Sequence, residues 1–124
     1  MEELMSSKSL YLAGPMSGLP DFNFPVFNRE AYRLRREGWT VYNPAEKECE
    51  KGLDPDAKLT GDSQKAIDNG FNFREVYLWD VTKVIESDGI YMLPGWEQSP
   101  GARGEHAVAV AMKKYYPDYR IIYG

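Results

Sequence analysis

Glu105 is the side chain around which a chemical reading of this sequence can be built. It follows the loop Ser99-Pro100-Gly101-Ala102-Arg103-Gly104, which sets two glycines, a hydroxyl and a cation at the start of a helical run. Backbone N–H groups left free at a helix start, together with the helix dipole, favour anions, so the loop suits a phosphate with Glu105 facing the neighbouring atoms. It is not a P-loop, because no Gly-Lys-Ser/Thr follows. A plain role for Glu105, a first-turn acid that stabilises its own helix, fits the spacing equally well. Asp80 is the second acid of interest. Two carboxylates in one crevice are the arrangement that cleaves glycosidic bonds, one as nucleophile and one managing the proton. Asp88 competes for that role, although at a helix-to-strand junction Asp commonly serves as a turn residue.

The elements that must position these residues follow from hydrophobic patterning. Met1 to Lys8 is polar and expected to fray, and Ser9 to Ala13 reads as a strand buried on both faces because its apolar residues do not alternate. The turn Gly14-Pro15-Met16-Ser17-Gly18-Leu19-Pro20 stops it and forms one wall of a crevice, or is simply a tight turn. Phe27, Ala31 and Leu34 recur at helical spacing between Pro25 and Glu37, with Gly38 as a C-terminal cap, and Trp39 to Tyr42 is a second strand. Ala45 to Phe73 is polar, of mixed charge and interrupted by Gly52, Pro55, Gly61 and Gly70; it reads as a flexible flap over the crevice or as a solvated excursion. A helix from Phe73 to Ser87 carries Tyr77, Val81, Val84 and Ile85 on one face with Asp80 near its edge. Gly89 to Leu93 is a third strand, Ala102 to Lys114 a densely apolar helix, and Tyr119 to Tyr123 a last strand. Alternation of this kind predicts an α/β fold: one doubly wound, Rossmann-like or flavodoxin-like parallel sheet of four to five strands with flanking helices, in a single domain over 1–124.

Composition narrows the function classes. Nine Tyr, five Phe and three Trp in 124 residues are ample for one core without disulfides, and the lone Cys49 cannot form one internally. No cationic leader followed by an apolar run opens the chain and no segment approaches the roughly 20 apolar residues that span a bilayer, so a cytoplasmic protein without a membrane partner is expected. The net charge of -4 is dispersed, which leaves no basic face for polymeric nucleic acid and favours a small-molecule partner. His106, the only histidine, points about 100° away from Glu105 on a helix and suits a surface or interface role. No His/Cys/Asp cluster has metal-ligand spacing, so no metal is expected.

Three motifs together resemble the nucleoside 2-deoxyribosyltransferase superfamily: Tyr11-Leu12-Ala13-Gly14-Pro15 ending the first strand, Asp80 and Asp88 bracketing the approach to the third, and Ser99-x-Gly101-x-x-x-Glu105-x-x-x-Ala109. Within it the chain is similar to a bacterial and phage branch and to the 2'-deoxynucleoside 5'-monophosphate N-glycosidases. The resemblance spans the secondary-structure elements but not Ala45 to Phe73, and the Met16 to Phe24 turn has no counterpart in it. It implies Glu105 as the nucleophile that attacks the anomeric carbon, Tyr11 as the residue that positions it, and Asp80 as the acid that assists base departure. Ser99 stands where transferases often carry an acid for the 5'-hydroxyl. A serine beside Gly101 and Arg103 tolerates a phosphate dianion that a carboxylate would repel. Gly14, Pro15 and Asp88 are further candidate substrate contacts, and Trp96 either stacks on a base or packs on the sheet. The implied activity is an N-glycosidase on deoxynucleoside monophosphates without a cofactor. Alternatives are a deoxyribosyltransferase and a non-catalytic nucleotide-binding module, and a homodimer or higher homo-oligomer is implied in each.

Overall fold

The computed structural model describes residues 8–124, so the expected fraying of Met1 to Lys8 falls almost wholly outside the described residues. Strands β1 (Ser9–Ala13), β2 (Thr40–Tyr42), β3 (Gly89–Met92) and β4 (Arg120–Tyr123) form one all-parallel sheet in the order β2-β1-β3-β4. This is the α/β architecture expected, at the lower of the two strand counts.

Side-chain alternation along the central strands splits the core into two layers. Leu10 and Leu12 face helix α1 (Phe24–Arg36) and pack with Phe27, Ala31 and Leu34; Tyr11 and Ala13 face the opposite side, with Val84 of helix α5 (Phe73–Glu86) and Ala109 of helix α6 (Pro100–Tyr115). β1 connects outward to β2 through α1, and β3 connects outward to β4 through α6 on the other face. The carboxyl ends of the adjacent strands β1 and β3 therefore flank the topological switch point where open α/β sheets hold ligands.

The 45–73 stretch is not a structureless flap. It folds into three short helices, α2 (Pro44–Glu50), α3 (Pro55–Thr60) and α4 (Ser63–Asp68). Each has an acid or amide cap: the side chains of Asn43, Asp54 and Asp62 accept hydrogen bonds from the backbones of Ala45, Ala57 and Lys65. With six or seven residues apiece, none is long enough to display a helical repeat in its sequence. In α5 the buried stripe is Val76, Asp80 and Val84, whereas Ile85 is exposed, so Asp80 sits at the middle of the inward face rather than at its edge.

The excursion is tied to the turn after β1 at Gly61, which ends α3 with φ +77° and whose carbonyl accepts from the Gly18 N–H at 2.7 Å. A Cβ there would run into the Leu19 backbone. Gly61→Ala should therefore lower unfolding free energy by ~2–4 kcal/mol in denaturant titrations. Gly52→Ala, with the same left-handed backbone but open space around it, should cost about 1 kcal/mol. Equal losses at the two positions would show that the Gly61 contact is unimportant.

Candidate active site

Tyr11, at the centre of β1, donates its hydroxyl to Glu105 Oε2 at 2.9 Å, and both side chains are buried. Glu105 lies on the inward face of α6 between Ala102 and Ala109, a position that local patterning would fill with an apolar residue. Asp80 approaches from α5, buried in the same region, and its Oδ1 has no hydrogen-bond partner among the described residues. Glu48 of α2 approaches from the third side and is also buried. Tyr11, Glu48, Asp80 and Glu105 all line one cavity of about 270 Å³.

The mouth of this cavity is the start of α6. Ser99 caps that helix, its Oγ accepting from the Ala102 N–H at 3.2 Å, and Ser99, Gly101 and Ala102 line the cavity. The Tyr77 hydroxyl donates to the Gly101 carbonyl at 2.7 Å, and a Cβ on Gly104 would stand 2.6 Å from that hydroxyl. Gly104 is thus what lets α5 and α6 close on each other around the acids. Phe22, Phe27, Phe71 and Val76 supply apolar walls. Phe22 is pressed inward by three consecutive non-glycine residues in left-handed backbone, Asp21, Phe22 and Asn23 (φ 54°, 52° and 61°), held by a hydrogen bond from Asn23 Nδ2 to the Pro15 carbonyl. Such strain costs of order 1–3 kcal/mol per residue and collects at functional sites.

Electrostatics set the site apart from the rest of the molecule. Burial, reinforced by the neighbouring Asp80, pushes the Glu105 carboxyl well above the usual range, while the Tyr11 hydrogen bond pulls it back. Burial raises Asp80 to about 7 and Glu48 to about 8, the latter with help from Asp80. Tyr11 is pushed up by burial and by the Glu105 and Asp80 charges, so its hydroxyl stays a proton donor at neutral pH. Among the described residues no group of three His, Cys, Asp or Glu side chains is arranged to hold a metal ion.

Of the residues singled out from the sequence, Tyr11, Asp80, Glu105, Gly14, Ser99 and Gly101 meet at this cavity. Pro15 lines an adjoining groove that shares Ser17, Ser99 and Pro100 with it. Three candidates lie elsewhere. Arg103 is exposed and borders neither space, since two residues along a helix turn it about 200° from Glu105. Trp96 packs against His106 (ring centroids 4.3 Å apart) and Tyr123, and His106 in turn shares a hydrogen bond with the Tyr123 hydroxyl. Asp88 precedes β3 at the amino end of the sheet, where its Oδ2 accepts from the Ser9 backbone N–H at 2.8 Å; the turn role is the one it fills. Glu48 and Tyr77 were not anticipated as site residues. The available signal for Glu48 was Asn43-Pro44, a cap followed by a first-turn proline, with Ala45 and Glu48 then sharing a face.

A family model described as a domain of unknown function (DUF4406) matches residues 8–116. No curated protein and no solved structure matches the chain.

The carboxyl cluster predicts an unusual pH dependence of stability. Each acid has a higher pKa folded than unfolded, so the folded state binds more protons between the unfolded value of 4.5 and about 8 for Glu48, and stability falls as pH rises through that window. Glu48→Gln should therefore leave stability nearly unchanged near pH 4 and raise it by ~1 kcal/mol or more near pH 8, read by thermal or denaturant unfolding. An equal effect at both pH values would contradict the assignment.

Proposed function

The chain belongs to the DUF4406 family, and we propose that it is an N-glycosidase that hydrolyses 2'-deoxynucleoside 5'-monophosphates to a free base and deoxyribose 5-phosphate. The observation that carries this reading is the Tyr11–Glu105 hydrogen bond inside a cavity that also holds Asp80. The residues are those that the likeness to the nucleoside 2-deoxyribosyltransferases singles out.

In the first step Glu105 attacks the anomeric carbon as the C–N bond breaks. The bonding pair leaves with the base, and Asp80 supplies the proton. Tyr11 holds the attacking carboxylate in place and stabilises its charge. In the second step water attacks the same carbon, its proton passes to Asp80, and Glu105 departs as carboxylate. The phosphate is seated at the start of α6, where Ser99 offers a hydroxyl and the helix dipole favours an anion. A carboxylate at position 99 would repel that group and a serine does not, which supports the monophosphate as the proposed substrate. The same reading makes the protein a cytoplasmic homodimer or higher homo-oligomer.

Incubation with deoxynucleosides and their 5'-monophosphates, with and without a free acceptor base, tests the proposal chromatographically. Base release from a monophosphate without acceptor is expected; product only in the presence of acceptor would make the chain a deoxyribosyltransferase instead. Glu105→Ala should lower turnover by on the order of 10³-fold or more while leaving nucleotide binding in place, whereas unchanged turnover would remove Glu105 from the chemistry.

The active form has Glu105 ionised and Asp80 protonated, and the two acids titrate as a pair. Activity should fall above about pH 7 as Asp80 loses its proton and fall again in acid as Glu105 gains one. Asp80→Asn should remove the alkaline limb and lower kcat by roughly 10²-fold, because proton donation to the base is lost.

A further inference from the structure

Glu48 has no part in the two steps above, yet it is buried and opens on the same cavity as Tyr11, Asp80 and Glu105. The nearby cations are engaged elsewhere: Lys47 lies over the Trp79 ring and Lys51 pairs with Glu75. Among the described residues its carboxyl makes no hydrogen bond or ion pair, and the cavity lining contains no Lys, Arg or His. Three carboxyls therefore face one small, largely apolar space with no cation, and of its two tyrosine hydroxyls Tyr11 donates to Glu105 and Tyr77 to the Gly101 carbonyl. In such surroundings several adjacent anions repel strongly, so the carboxyls do not all ionise together, and Glu48, which no donor faces, keeps its proton.

The order of the strands places these groups in a row. At the carboxyl edge of the sheet, Glu48 follows β2, Tyr11 belongs to β1 and Ser99 follows β3, and β1 lies between the other two. Glu48 and Ser99 thus enter the cavity from the elements that follow the strands on either side of β1. With the sugar at Tyr11 and Glu105 and the phosphate at Ser99, the base falls toward Glu48, with the flat apolar walls of Phe22, Phe27 and Phe71 in the same cavity.

We infer that Glu48 reads the leaving base as a neutral carboxylic acid and makes the site selective for amino-substituted bases over their oxo counterparts. The inference rests on the glycosidase reading above. A protonated carboxyl presents one donor beside one acceptor. Adenine and cytosine answer with a basic ring nitrogen beside an exocyclic amino group, so the acid O–H meets its strongest acceptor while the amino group donates to the carbonyl oxygen. In hypoxanthine and uracil the acid O–H would meet a less basic carbonyl oxygen. The rise of Glu48 to about 8 through burial agrees with its holding the proton.

The test compares near-isosteric pairs, dAMP with dIMP and dCMP with dUMP, in wild type, Glu48→Gln and Glu48→Leu. Wild type should favour the amino member of at least one pair by ~10-fold or more in kcat/KM. Glu48→Gln, whose amide can turn to meet either edge, should bring that ratio to about threefold or less, and Glu48→Leu should lower kcat/KM for the amino substrate by ~10-fold or more. A purely structural role for Glu48 would not move the ratio within a pair. Wild-type ratios near unity or favouring the oxo base, or a ratio retained in Glu48→Gln, would overturn the inference. If wild type hydrolyses no nucleotide, the glycosidase reading fails on its own. The same pairs titrated calorimetrically then decide Glu48: a tighter amino complex that loses its advantage in Glu48→Gln supports the inference, and equal affinities or no binding overturn it.

Discussion

The hydrogen bond between the Tyr11 hydroxyl and the Glu105 carboxylate is the contact on which the rest of this structure depends. A carboxyl group withdrawn from water without a partner costs several kcal/mol, and here the partner must come from the central strand of the sheet. Strand β1 provides it because its side chains alternate, Leu10 and Leu12 into one layer and Tyr11 into the other. Helix α6 provides the carboxylate at the place where a neighbouring small residue on each side, Ala102 and Ala109, lets it lie close to the sheet. The bond thus joins the two elements that meet at the switch point of the parallel sheet.

Around that contact the molecule gives up stability for function in several places. Asp80 occupies a position between Val76 and Val84 that an apolar residue would fill with gain, and one of its oxygens is left without a partner among the described residues. Glu48 adds a third buried acid, and the turn before α1 holds three non-glycine residues in left-handed backbone. These features converge on one cavity. Among the described residues five of the six α-helices are capped by a side chain, and the core forms two apolar layers. Local rules broken together around one cavity mark that place as a candidate for functional constraint.

The parts of this arrangement that could be read from the sequence were those with a long enough repeat or a fixed position in the sheet. Unalternating strands and amphipathic helices of three to four turns revealed the β-α order, and the mouth of the β3-to-α6 unit pointed to Glu105. The three short helices were hidden because six or seven residues do not complete two turns, so the caps Asn43, Asp54 and Asp62, the first two followed by a proline, were the signals left, and Glu48 looked like one charge among many. Arg103 and Asp88 were misplaced for a different reason. Nearness in sequence fixes neither which side of a helix a residue takes nor at which end of a strand it stands. Trp96 lies in the right loop, but its ring found His106 and Tyr123 on the outer side.

The central claim, that Glu105 forms a bond to the sugar, is most directly tested by trapping that bond. A 2'-fluoroarabinosyl nucleoside 5'-monophosphate slows the second step more than the first when a good leaving base is used. Mass spectrometry of the quenched and digested protein then reports where the sugar phosphate resides. The account predicts one adduct per chain, on the peptide that contains Glu105, absent in Glu105→Ala. Stoichiometric base release with no adduct, or an adduct on another residue, would contradict it.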